Sequence, residues 1–109
     1  MGLSRGDLVI VSAPGSYAKP RPSLVIQSDK FDGNGSLTVL LMTSHLKSDS
    51  PLIRHTLLPS DANGLNVPTD VMIDKIFTIP RERMGQCIGH LTSTEMAEIT
   101  SALAVFLGM

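Results

Sequence analysis

Apolar residues fall into short runs separated by turn-forming residues. Asp7 to Ser12 predicts a first strand, although Leu8, Val9, Ile10 and Val11 are too uniformly apolar for strict alternation. The Pro-Gly pair in residues 13–18 marks a loop. Leu24 to Ser28 predicts a second strand, and Asp32-Gly33-Asn34-Gly35 is a strong turn signal after it. Leu37 to Thr43, rich in branched apolar side chains, predicts the third strand. A polar stretch, Ser44 to Pro51, precedes a shorter strand over Leu52 to Leu58. Val71 to Thr78 predicts a fifth strand, Pro80 to Met84 one helical turn, and Gln86 to Leu91 a last strand. The pattern then changes period. Thr92-Ser93-Thr94-Glu95 has the form of a capping box, in which Thr and Glu satisfy each other's backbone donors. Met96, Ile99, Leu103 and Phe106 recur at spacings of three and four, which makes one apolar helix face ending near Gly108. Several strands and one terminal amphipathic helix predict a mainly β, α+β fold: a small barrel or curled antiparallel sheet with the helix packed on it.

At 109 residues the chain is expected to be a single domain, residues 1–109. No apolar run approaches the roughly 20 residues that span a bilayer, and the N-terminus has no signal-peptide core. Cys87 is the only cysteine, so an internal disulfide and a cysteine-based zinc site are excluded, and a cytoplasmic location fits. The net charge of −1 argues against a broad basic face but leaves room for a local cationic groove. Arg5, Lys19 and Arg21 stand against Asp7 and Asp29 near the start, and Lys75, Arg81 and Arg83 against Glu82 later on. With Tyr17, Phe31, Phe77 and Phe106 as the whole aromatic complement, a multi-base stacking platform is not expected.

The segment with the most chemistry is Lys19-Pro20-Arg21-Pro22. Each proline fixes its own φ, and Pro22 disfavours the α region for Arg21, so Arg21 is expected to be extended. A long cation on a stiffened strand entry suits a phosphate or carboxylate; a solvated arginine at an edge strand accounts for the same residues. Thr43 ends an apolar strand, where a hydroxyl can bond a turn or serve a substrate. His45, two residues on, faces the same side if the strand continues, and His55 and His90 are further proton-exchange candidates. Asp29, Asp70 and Asp74 form no recognisable metal set and suit turn or strand-pairing roles.

Taken in order, several segments resemble the MazF/PemK family of bacterial toxin endoribonucleases. They are Arg5-Gly6-Asp7 before an apolar strand, Lys19-Pro20-Arg21-Pro22 before Leu24 to Asp29, and Leu40-Leu41-Met42-Thr43-Ser44 with its terminal hydroxyl pair. Val71 to Ile76, and Arg83-Met84-Gly85 through Ile88-Gly89-His90-Leu91 leading into the helix, complete the series. The resemblance implies an SH3-like barrel of the CcdB/MazF type and a homodimer. It implies cleavage of single-stranded RNA, including mRNA, at short sequence motifs. No metal or other cofactor is expected, and the expected ends are a 2′,3′-cyclic phosphate and a 5′-OH. Arg21 and Thr43 correspond to the family's catalytic residues. Lys19, Tyr17, Ser44, His45 and Lys75 are the expected substrate contacts, with Lys75 standing where many relatives have glutamine. A cognate antitoxin with an acidic, apolar, partly disordered segment is the expected protein partner. A CcdB-like gyrase poison shares the fold, but the C-terminal tryptophan region expected of that class is missing: the chain has no tryptophan. An inactive dimeric binding module is the other alternative, and the presence of both Arg21 and Thr43 speaks against it.

Overall fold

Adjacent residues on a strand point to opposite faces, and here both faces are buried. In the computed structural model, which describes residues 2–15, 19–47 and 49–109, Leu8, Leu24 and Leu40 pack into one core with Leu57, Val71, Ile73 and Ile99. Their neighbours Val9, Val25 and Leu41 pack into a second core with Val39, Met72 and Ile79. Two cores explain why Leu8 to Val11 does not alternate with polar residues. The strands are β1 (Asp7–Val11), β2 (Arg21–Val25), β3 (Ser36–Thr43), β4 (Arg54–Leu57), β5 (Thr69–Pro80) and β6 (Met84–His90). They form one antiparallel sheet in the order β4-β5-β3-β2-β1-β6.

The elements follow the pattern in the sequence, with instructive shifts of boundary. β2 begins at Arg21 and ends at Val25, earlier than the apolar run suggests, because Arg21 and Pro22 pair with Val11 and Ile10 of β1. β4 is shortened at its start, where Ile53 N–H closes a turn on Ser50 O at 3.2 Å. β5 is longer than its apolar core, and its register against β3 slips between Leu40 and Met42, an irregularity that bends the strand. The helical turn after Pro80 is a 3-10 turn, Arg81–Arg83.

Helix α1 (Ser93–Leu107) starts on the anticipated capping box, with Thr92 Oγ1 accepting from Glu95 N–H and Glu95 Oε1 from Thr92 N–H. It ends on Gly108, whose φ of 74° is the left-handed conformation that glycine adopts without a Cβ penalty. Ile99 is fully buried, and Met96 and Leu103 pack beside it. Phe106 does not join this face: it is 45% exposed at the helix end. Arg5 ties the helix to the sheet, donating to Thr100 Oγ1 at 2.6 Å and to the carbonyl of Ile26. No described helix is long and apolar enough to cross a membrane.

The sheet is not a closed barrel: no strand ladder joins the edge strands β4 and β6. The loop after β4 spans the gap instead. Asn63, 2% exposed, pins this loop by donating to Leu58 O at 2.9 Å and accepting from Ser60 N–H and Leu65 N–H, both at 3.0 Å. His90 N–H of β6 donates to Ala62 O at 2.9 Å, which joins loop to edge. Two glycines allow the approach. A Cβ on Gly89 would lie 2.5 Å from the carbonyl carbon of Asn63, and one on Gly64 would overlap the carbonyl oxygen of Ile88.

Candidate active site

A cleft of about 550 Å³ lies where the pairing of β2 with β3 ends. Paired residues run Val25 with Val39, Leu24 with Leu40 and Ser23 with Leu41, where the pairing stops. Pro22, the next residue, has no N–H to offer a ladder. Continued by two residues, the same register would bring Arg21 level with Thr43, and both line the cleft. Lys19, Ser44 and His45 line the same cleft. Five of the seven sequence candidates, Lys19, Arg21, Thr43, Ser44 and His45, are thereby brought together from two chain segments. The bridging loop adds Leu65, Asn66 and Val67 to the lining, and Ile10, Met42 and Ile88 contribute apolar surface. Among the described residues that line the cleft there is no carboxylate.

Two candidates stand elsewhere. Lys75 does not line the cleft, and its Nζ is bound to Asp74 Oδ2 at 2.6 Å, with the neighbouring carboxylate meeting its charge. Tyr17 lies outside the described residues. The strand does not continue beyond Thr43 to carry His45 on the same face. Instead His45 N–H turns back to donate to Thr43 Oγ1 at 3.1 Å. That bond uses an acceptor site of the hydroxyl and leaves its hydrogen to donate into the cleft.

A second cluster lies directly behind Thr43 and was not recognised as part of the site in the sequence. Asp70 is the register partner of Thr43 across β3 and β5, and it is fully buried. Its Oδ2 accepts from Lys47 N–H at 3.0 Å and from Arg54 Nη1 at 3.1 Å, and its Oδ1 accepts from Thr56 Oγ1. Burial by itself would push this carboxyl up; the hydrogen bonds from Thr56, Lys47 and Arg54, with the charge of Arg54, outweigh it and hold Asp70 below the usual carboxylate range. The turn or strand-pairing role read for Asp70 is met, but the side chain does more than pair. Its mark in the sequence is an acidic residue at the opening of an apolar strand, with one strand, β4, between it and the hydroxyl pair.

A smaller cleft of about 360 Å³ lies elsewhere, lined by Leu3, Arg81, Met84 and Cys87 among others. Among the described residues no group of three or more His, Cys, Asp or Glu side chains is arranged to hold a metal ion.

Comparison with known proteins gives this geometry its context. The chain is 42% identical over 108 residues to the "Probable endoribonuclease MazF" of Mycolicibacterium smegmatis, with 98% of each chain covered. It is 30% identical over 117 residues to the "Endoribonuclease MazF9" of Mycobacterium tuberculosis, again with 98% of each covered. Among solved structures, a mycobacterial endoribonuclease in complex with its cognate antitoxin superposes with a TM-score of 0.82 at 22% identity, covering 99% of this chain and 97% of that one. At that identity the likeness is one of fold. Residues 4–107 match the family described as the PemK-like, MazF-like toxin of type II toxin–antitoxin systems. With nearly the whole chain matched and a relative at 42% identity, the chain belongs to the PemK-like, MazF-like toxin family.

Proposed function

We propose that this single-domain toxin is an endoribonuclease that cuts single-stranded RNA in the Arg21–Thr43 cleft. The observation that carries the reading is that Arg21 and Thr43, each beyond the last residues paired between β2 and β3, line one cleft whose described lining has cations and hydroxyls but no carboxylate. RNA brings its own nucleophile. The 2′-hydroxyl gives up its proton as its oxygen attacks the adjacent phosphorus, the bond to the 5′-oxygen breaks and that oxygen takes up a proton, so the ends are a 2′,3′-cyclic phosphate and a 5′-OH. The negative charge that grows on the phosphoryl oxygens is what the site must stabilise. Arg21 does so with a permanent charge and a planar fork that can bond two oxygens at once. Thr43 donates its hydroxyl hydrogen to one of the same two oxygens, which has lone pairs for both donors. His45 is the imidazole in this lining and serves the proton transfers at the 2′- and 5′-oxygens. Lys19 and Ser44 contact the neighbouring phosphates.

The toxin acts in the cytoplasm as a homodimer, and a cognate antitoxin silences it. The solved mycobacterial endoribonuclease in complex with its antitoxin supports that partnership. A carboxylate-bearing peptide segment suits the cations of the lining, and apolar anchors suit Leu65 and Val67 in the same cleft.

Incubating the protein with a long RNA in EDTA tests the reaction. Defined fragments ending in a 2′,3′-cyclic phosphate and a 5′-OH are expected. A 5′-phosphate end, or loss of cleavage in EDTA with recovery on adding magnesium, contradicts the proposed chemistry.

A further inference from the structure

Burying a carboxylate is costly unless its oxygens are fully bonded, and a buried ion pair adds little net stability over well-packed apolar residues. The Arg54–Asp70 pair therefore calls for another explanation than stability. Its geometry supplies one. Asp70 belongs to β5 and Arg54 to β4, and both reach under the segment that follows Thr43. Arg54 Nη1 donates to His45 O at 3.0 Å as well as to Asp70. Asp70 takes Lys47 N–H two residues further on. His45 N–H in turn bonds Thr43 Oγ1. The segment from Ser44 to Lys47 is exposed throughout, so no apolar side chain anchors it to the core. Its position is set by these polar bonds.

We propose that Arg54 and Asp70 form a clasp that positions Thr43, Ser44 and His45 for phosphate contact. The inference rests on the reading of Arg21 and Thr43 as the phosphate-handling pair. In this view Arg54 and Asp70 are positioning residues that never touch RNA. Arg54 fits the task because its planar head presents donors in a fixed fork, so bonds to a carboxylate and a carbonyl fix the angle between them. Thr56 completes the arrangement by occupying the other carboxylate oxygen, which orients the side chain of Asp70.

The test compares Arg54→Met with the double variant Arg54→Met/Asp70→Leu. The second removes both charges, so it avoids leaving a buried carboxylate without its partner and keeps the test open if the single variant folds poorly. Single-turnover cleavage, affinity for a non-cleavable oligonucleotide and amide exchange at His45 and Lys47 are measured on each. The clasp predicts that cleavage slows by about 10- to 100-fold, the cost of a catalytic group displaced by an ångström or so. Affinity changes by less than about threefold, since phosphate contact through Lys19 and Arg21 remains. Exchange protection is lost at the two amides. Adding Arg54→Met to Thr43→Ala costs clearly less than the product of the two separate losses, because one of the groups that Arg54 positions is already gone while Ser44 and His45 remain. Wild-type cleavage in a variant whose amides have lost protection overturns the clasp. So does a rate loss that multiplies with that of Thr43→Ala. If Arg21→Ala and Thr43→Ala themselves cut at the wild-type rate, the site reading fails; if those two are inactive and both Arg54 variants cut normally, only the clasp fails.

Discussion

Arg21→Ala loses RNA cleavage by at least about a thousandfold under single-turnover conditions, and Thr43→Ala by about a hundredfold. Removing one preorganised donor from a site where oxyanion charge develops typically costs about 10²–10³ in rate. Arg21 supplies a full charge in addition to two hydrogen bonds, which places it at the upper end. Arg21→Lys does not restore the rate, because an ammonium cannot make the paired contact of a guanidinium. Both variants remain folded. Arg21 stands at a strand entry and Thr43 at a strand end, half-buried in each case, and substitutions at such positions change stability by roughly 1 kcal/mol or less. Single-turnover rates on a defined RNA, with thermal melting of the same samples, separate loss of chemistry from loss of fold. Wild-type rates in both variants would remove Arg21 and Thr43 from the site.

Gly89→Ala melts about 12–20 °C below the wild type. The added Cβ meets the carbonyl of Ala62 and lies 2.5 Å from the carbonyl carbon of Asn63. Those are backbone atoms, held in place by Asn63 and by the His90–Ala62 hydrogen bond, so no flexible side chain can swing aside. Overpacking of this kind costs about 1–3 kcal/mol. At the upper limit, about 3 kcal/mol shifts the melting temperature of a domain this size by that amount. Gly33→Ala is the control: nothing lies within 4 Å of its Cβ, and its melting temperature stays within a few degrees of wild type. The seam also supports function, since the loop it secures carries Leu65, Asn66 and Val67, which line the cleft with Arg21. A wild-type melting temperature for Gly89→Ala would mean that loop and edge strand do not meet as described.

The helix was legible in the sequence because its signals are local. A capping box, a spacing of three and four and a terminal glycine all act within one or two turns. Phe106 was misplaced because periodicity predicts which side of a helix a residue occupies and says nothing about where the underlying sheet ends. The strands were legible as apolar runs, but their ends depend on neighbours: β2 starts at Arg21 only because β1 is there to pair with it. The open sheet, bridged by a loop rather than closed by a ladder, depends on contacts between residues such as Ala62 and His90 that no local pattern encodes.

The site divides along the same line. Arg21 and Thr43 could be singled out because unusual residues flank the one and a strand end marks the other, and the family resemblance named them. Lys75 follows the strand pattern equally well, yet its charge is met by Asp74 beside it, which sequence order alone did not decide. The role of Asp70 was hidden for a physical reason. Its partners come from Lys47, Arg54 and Thr56, so its function exists only once β4 and β5 have paired.

RNA bound for cleavage is expected to lie across the Arg21–Thr43 cleft. The most direct measurement is a nuclear magnetic resonance titration of the wild-type protein. The ligand is an oligonucleotide built on a mapped cut site, with a 2′-deoxy sugar there to block cleavage. The largest shifts are expected at the Arg21 side-chain Nε–H and at the amides of Thr43, Ser44 and His45. Shifts centred on the smaller cleft of Arg81, Met84 and Cys87, with Arg21 and Thr43 unmoved, would contradict it.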